Sequence, residues 1–299
     1  MDKRSVHLAL SLALLPLLAG CSLRTLAVNQ LGNALAGGGS TFAADEDPEL
    51  VGDALPFSLK LMESLLAESP RHEALLIAAA RGFTQYSYGW VDPADDPAGT
   101  DRRLRARRLY LRGRDYGLRA LAVTIDDFGE RLANDPRAAV STARKRDVPA
   151  LYWTAASWGL AIALSKDDPE MLADLPAVDA MIARAAELDP GFESGSIDTF
   201  LITWEAARSG LSRDAAAKAR EHYRLAVHRS AGRSAAPFVA AAEALSIPAR
   251  NRVEFDTMIE RALAVDPNAE PLWKLQNILA RRRAEWLRAH ADDYFFGGE

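Results

Sequence analysis

Beyond residue 46, the apolar side chains of this 299-residue chain recur at intervals of three and four, and almost nowhere at intervals of two. A half-buried strand needs strict alternation, whereas a helix buries one stripe through positions i, i+3, i+4 and i+7. The spacing therefore predicts an all-α fold. Its strongest segment begins at Val148: Leu151, Tyr152, Ala155, Trp158, Gly159 and Ile162 follow the helical template, and Trp153, Ala156, Leu160 and Leu164 form a second apolar stripe. A helix that is apolar on two faces belongs inside the fold.

Start signals agree with the spacing. Asp-Pro pairs occur at Asp47-Pro48, Asp135-Pro136 and Asp168-Pro169, and two of them continue into Glu49 and Glu170. Aspartate at the cap, proline in the first turn and acid near the positive end of the helix dipole all favour helix initiation. Helices are predicted over roughly 73–90, 101–133, 170–188, 196–208, 212–229, 235–246, 250–265 and 270–290. The helix after Pro48 contains Pro56, which predicts either a kink or a restart capped by Asp53.

The amino-terminal segment reads as an export signal. Lys3 and Arg4 precede an apolar run from Val6 to Leu18 that is broken by Pro16 and too short for a permanent span. It closes on Leu18-Ala19-Gly20-Cys21, a lipobox built on the chain's one cysteine. Cleavage before a lipidated cysteine needs small flanking residues and a free thiol, and these residues supply both. Residues 1–20 are thus expected to be a lipoprotein signal peptide and Cys21 the site of lipidation, with each buried methylene adding roughly 0.8 kcal/mol of anchoring. Ser22, rather than aspartate, favours the inner leaflet of the outer membrane, facing the periplasm. Residues 21–46 contain Gly37-Gly38-Gly39-Ser40 and have the composition of a flexible tether. Residues 47–299 form the helical domain.

Composition excludes several function classes. Loss of residues 1–20 removes Asp2, Lys3 and Arg4 and changes 36 basic and 41 acidic residues to 34 and 40, a net charge of about −6 that disfavours nucleic acid. With Cys21 acylated, no thiol remains for a disulfide or a thiolate metal site. G-x-S-x-G, Gly-Lys-Ser/Thr, G-x-G-x-x-G and H-E-x-x-H motifs are all absent from the sequence, so an enzyme is not expected, and neither is a cofactor. His72-Glu73 opens like a zincin helix, but Leu76 stands where the second histidine is required, and His222 and His228 point to different helix faces. No metal site is expected. The acidic loop around Asp92, Asp95, Asp96 and Asp101 lacks EF-hand spacing and reads as solvated. The basic runs Arg102–Arg108 and Arg281–Arg283 read either as solvated helix faces or as contacts for acidic lipid or protein.

Aromatic clusters are the remaining candidates for a binding function. They are Phe83, Tyr86, Tyr88 and Trp90; then Tyr110 and Tyr116; then Tyr152, Trp153 and Trp158. Tyrosine and tryptophan have polar tips that a wholly apolar core leaves unpaired, so they either line a groove or pack the core with those tips satisfied.

Ala185-Ala186-Glu187-Leu188-Asp189-Pro190 and Ala262-Leu263-Ala264-Val265-Asp266-Pro267 both resemble the closing phrase of a tetratricopeptide (TPR) repeat, and Trp273 and Leu76 hold opening positions after Pro267 and Pro70. The prolines at 70, 190 and 267 are 120 and 77 residues apart, and neither interval is a multiple of the 34-residue period. Irregular TPR-like repeats are expected, about four helix pairs plus extra helices, with a plain helical bundle as the other reading.

Longer phrases resemble the TatT family, TPR-containing periplasmic lipoproteins associated with tripartite ATP-independent periplasmic (TRAP) transporters. They are Ala54–Lys60 with Glu63–Leu66, Tyr110–Tyr116, Leu151–Gly159, Ala185–Pro190 and Ser230–Pro237. The resemblance implies a lipid-anchored homotrimer with a pore-like cavity in each subunit and a TRAP solute-binding protein as partner. Only Cys21 carries over as a site residue. On this basis the chain is expected to be a non-enzymatic accessory component that docks the solute-binding subunit and offers a partly apolar passage for an organic acid or hydrophobic ligand. Phe57, Lys60, Tyr110, Arg114, Tyr152, Trp153 and Trp158 are the candidates for its lining. The alternative function is a generic TPR scaffold lipoprotein for envelope assembly, gripping peptide segments in a concave groove.

Overall fold

The computed structural model describes residues 26–92, 100–209 and 213–295. Cys21, Asp95 and Asp96 lie outside the described residues. Within them every regular element is helical and no strand occurs. Residues 26–37 form α1 and Gly39–Ala43 form α2; α3 spans Pro48–Glu68, α4 Glu73–Tyr86, α5 Thr100–Thr124, α6 Phe128–Asn134, α7 Pro136–Ser141 and α8 Val148–Ala163. Then come α9 at Pro169–Ala173, α10 at Leu175–Leu188, α11 at Ser196–Ser209, α12 at Arg213–Arg229, α13 at Ala236–Ala241, α14 at Arg252–Ala264, α15 at Lys274–Ala289 and α16 at Ala291–Phe295. No described helix is long and apolar enough to cross a membrane.

The three Asp-Pro starts behave as their chemistry dictates. Asp47 accepts from the Leu50 amide at 3.0 Å, Asp135 from Ala138 at 3.0 Å and Asp168 from Glu170 at 3.1 Å. Helix α3 runs unbroken through Pro56. The residue four earlier, whose carbonyl Pro56 leaves without its helical donor, is Gly52, and the Trp90 indole lies against it: a Cβ there would meet the ring at 2.6 and 3.1 Å.

Three sequence expectations change. The segment expected to be a tether is helical from residue 26, because its uncharged, leucine-bearing stretch has something to pack on. Val28 and Leu35 rest on the main core, Ser69 donates to the Asn29 side chain at 2.8 Å, and the His72 imidazole lies 3.2 Å from the Asn29 carbonyl. The single helix expected over 101–133 breaks before α6, where Asp127 takes a left-handed φ of 52°. The helix expected over 170–188 breaks at Asp174, whose carboxylate accepts from the Trp158 indole at 3.1 Å.

The main core extends from α3 to α11, and its centre is the contact of α5 with α4 and α8. Gly113 and Gly117, one turn apart on α5, make the approach possible. A Cβ on Gly117 would stand 3.0 Å from Thr154 Cβ and 3.2 Å from its Cα; one on Gly113 would stand 2.5 Å from Ser157 Oγ, 3.0 Å from Thr84 Oγ1 and 3.1 Å from the Ala80 carbonyl. The hydroxyls in this seam are satisfied locally: Ser157 donates to the Tyr110 carbonyl at 2.6 Å, Thr154 to Ala150 at 2.6 Å and Thr84 to Ala80 at 2.7 Å. Gly159 gives α8 the same closeness to Phe200 and Trp204 of α11. A second core forms around Phe238, Phe255, Ile259 and Leu287, and buried Asn277 joins α15 to the start of α13 by accepting from the Ala235 amide at 2.9 Å.

Gly117→Ala places a methyl against the backbone side of Thr154, which cannot rotate away. We expect it to destabilise the fold by about 2 kcal/mol, within the usual range for overpacking. Chemical denaturation checks this, and an unchanged midpoint would show that the helices do not need the glycine.

Candidate functional site

Among the described residues, two helices end in π-helical turns. Ser87–Val91 continues α4 and Ala242–Ser246 continues α13. Such turns are rare and recur at functional places because they re-aim side chains. The first turn is pinned by Ser87 donating to the Ala106 carbonyl at 3.1 Å and by Trp90 donating to the Pro48 carbonyl at 2.9 Å. It carries Tyr88; the second carries Glu243. A third irregularity is the turn before α11, where Glu193, Ser194 and Gly195 have consecutive positive φ of 40°, 54° and 105°. The two non-glycine residues there are in strained backbone, held by their surroundings.

These irregular segments converge. Tyr88 is 61% exposed. Yet burial pushes its phenol up to about 12, with Glu243 adding to the shift and Arg283 opposing it. A ring that water reaches, but whose charge the surrounding protein disfavours, lines a recess rather than an outer face. Arg283 donates to Glu243 through Nε at 2.9 Å and Nη2 at 2.6 Å. On the other side, burial raises the Tyr152 phenol, and its charged surroundings are Glu193 and Arg81, with Tyr88 also within range. Arg81 lies 3.7 Å from Glu193 and 5.5 Å from the centre of the Trp153 ring. Trp153 meets Tyr152 edge-on at 4.9 Å and supports the Glu193 carboxyl, which burial holds above the usual carboxylate range. Tyr88 thus lies near the Arg283–Glu243 pair and within electrostatic range of Tyr152, beside which the Arg81–Glu193 pair stands.

The sequence candidates divide into groups. Tyr152 and Trp153 are buried on the Glu193 side of this group of residues. Tyr110 is fully buried behind it and donates to Asp92 at 3.0 Å. Arg114 and Trp158 form a separate pair, the guanidinium 5.0 Å over the indole, whose N–H goes to Asp174. Phe57 and Lys60 stand apart on α3: Phe57 is 73% exposed, and Lys60 pairs with Glu63 at 2.7 Å. Glu63 also accepts from Tyr116 at 2.8 Å and pairs with Arg112, a brace between α3 and α5. Burial of Glu63 works the other way, but these donors outweigh it and hold its carboxyl below the usual range.

Arg81, Glu193 and Glu243 were not singled out by sequence, and Arg283 only as a member of a basic run. Arg283 belongs to a run read as surface or contact, yet each member is committed: Arg281 to the Val265 carbonyl, Arg282 to Glu49 and Arg283 to Glu243. Arg102 and Arg107, in the other run, bond the Val91 carbonyl and Asp168. Glu193 had a weak signal in its Gly191-to-Gly195 setting. His72 caps α4 by accepting from Leu75 at 3.2 Å, and His222 meets buried Asp198 at 3.0 Å. Among the described residues no three His, Cys, Asp or Glu side chains converge to hold a metal.

Comparison with known proteins adds two findings. The family model described as TRAP transporter T-component matches residues 44–295. The chain is also similar to an uncharacterized protein of Treponema pallidum (strain Nichols), at 31% identity over 304 residues, covering 93% of this chain and 94% of that protein.

The recess has a testable pH signature. Burial raises the Asp92 carboxyl, while Tyr110, Arg103 and Arg102 act in the opposite direction. A folded value above the unfolded one means that the folded state binds the proton more tightly, so this contribution is present at low pH and is lost as pH rises from about 4 through the raised value. Asp92→Asn is therefore expected to lose less stability than the parent over that window in denaturation series. Superimposable pH profiles would contradict the placement of Asp92.

Proposed function

The chain belongs to the TRAP transporter T-component family, and from that premise we propose that it is the transporter's periplasmic accessory lipoprotein, docking the solute-binding subunit and offering that subunit's ligand a partly apolar passage. Family membership across nearly all the described helices carries the transporter role. The passage is supported by Tyr88, an open aromatic ring flanked by charged pairs inside the helical body.

In this reading Cys21 carries acyl chains that confine the protein to the inner leaflet of the outer membrane, and the helical body faces the periplasm as a homotrimer. Its work is binding and hand-over rather than catalysis. Aromatic rings suit such a task because they bury apolar ligand surface while their hydroxyl and N–H groups orient a polar end. Irregular helix pairs supply the wall, and the carboxyl–guanidinium pairs keep it close to neutral, so an organic acid enters without a large electrostatic barrier.

Two measurements test this. Mixing the protein with the solute-binding subunit of its transporter is expected to give a complex in the micromolar range, read by calorimetry; no association at tens of micromolar would contradict docking. Mass spectrometry of the exported protein is expected to find acylated Cys21, and Cys21→Ser is expected to move it from the membrane to the soluble fraction. An unacylated, membrane-bound protein would contradict the anchor.

A further inference from the structure

Helix α1 turns an uncharged face outward. Its inner positions are Val28 and Leu35 on the main core, Asn29 held by Ser69 and His72, and Gly32, where a Cβ would meet the His72 ring at 3.0 Å. At about 100° per residue, the opposite side consists of Leu26, Ala27, Gln30, Leu31, Ala34 and Gly37. Leu26 and Leu31 are 56% and 46% exposed. No Asp, Glu, Lys or Arg occurs between Arg24 and Asp45. The exposed side of α12, by contrast, carries Arg213, Asp214, Lys218, Glu221 and Arg224. A lone exposed leucine is ordinary, but a whole helix face without a charge marks a surface that meets something other than water.

We propose that α1 lies in the headgroup layer of the membrane that holds Cys21, with Leu26, Ala27, Leu31 and Ala34 against lipid and its inner side against the helical body. This deepens the reading of Cys21 as the anchor and rests on it. Reach selects the occupant. Leu26 is five residues beyond Cys21, so even fully extended backbone leaves its Cα within about 18 Å of the acylated residue. An interfacial helix sinks its apolar side about 5–10 Å into the boundary between headgroups and acyl chains, which lies inside that reach. A face without charges enters this layer with no ion to desolvate, and every methylene it buries adds to the hold of the acyl chains. Because Asn29 and Gly32 seat α1 on Ser69 and His72, the contact also orients the body, with the corner between α3 and α4 directly behind the lipid-facing helix.

The test uses the exported full-length protein in vesicles of phosphatidylethanolamine and phosphatidylglycerol. Acylation converts the Cys21 thiol to a thioether, so a cysteine introduced elsewhere is the one reactive thiol and takes a single nitroxide label. Leu31→Cys and Ala34→Cys are compared with Val253→Cys, whose native side chain is 79% exposed between Arg252 and Glu254; circular dichroism checks that each keeps the helical fold. Oxygen concentrates in lipid and a nickel complex in water, so the ratio of their collisions with the label is expected to be about tenfold higher on α1 than at Val253→Cys. Equal ratios at all three positions, in protein whose Cys21 is acylated by mass spectrometry, overturn the proposal and leave the anchor standing, whereas an unacylated Cys21 overturns both. On the chain from Ser22 onward, without vesicles, the α1 labels are expected to be open to the nickel complex. Shielding there shows a second copy covering the face in place of lipid, and would equally overturn the proposal.

Discussion

Gly113 and Gly117 let three helices touch at backbone distance, and the positions of Tyr88, Tyr110, Tyr152 and Trp153 follow from that contact. With side chains at either position, α5 would stand farther from α4 and α8, and the Ser157 hydroxyl would lose the Tyr110 carbonyl across the seam, while Thr84 and Thr154 keep acceptors on their own helices. Thr84 lies one turn before Tyr88, while Thr154 and Ser157 follow Trp153 on α8. The seam therefore sets how α4, which leads into Tyr88, stands relative to the Tyr152–Trp153 pair on α8. Mixed glycine and hydroxyl packing suits the task better than leucine packing, because backbone atoms and short side chains have few alternative rotamers.

The recess arises where regular helix gives way. A π-helical turn delivers Tyr88, another delivers Glu243, and a left-handed turn delivers Glu193. Each costs local stability, and each is held by contacts outside itself: Trp90 on Pro48 and Gly52, Arg283 on Glu243, Arg81 on Glu193. Three such features facing one place are more informative than any one of them. The net result is a set of aromatic faces and two positive groups, with burial discouraging the Glu193 and Asp92 carboxyls from ionising, an environment that favours binding of a weakly charged, largely apolar molecule.

Much of this was legible in residue order. Helical spacing, the Asp-Pro starts and the two-faced helix from Val148 all have local causes, and the structure places the corresponding caps at hydrogen-bond distance. The family phrases agree with the family match. What escaped was non-local. The α1 segment reads as a tether because its own composition is small and polar, and only His72, Ser69 and the core surface give it a reason to coil. The break at Asp174 serves the Trp158 indole, a partner sixteen residues away. Arg283 looks like one of three surface arginines until α13 brings Glu243 to it. Phe57 and Lys60, expected as lining, are exposed on α3, with Lys60 paired to Glu63. The i, i+4 glycines of α5 were an overlooked signal that sequence does contain, since glycine inside a strong helix often marks close packing.

The most direct measurement is a high-resolution crystal structure of the mature protein with whatever molecule co-purifies. The account predicts one continuous water- or ligand-filled recess with Tyr88 on its wall and the Arg81–Glu193 and Arg283–Glu243 pairs on either side. Tyr88 packed against solid protein, or the two pairs opening onto separate surfaces, would contradict it.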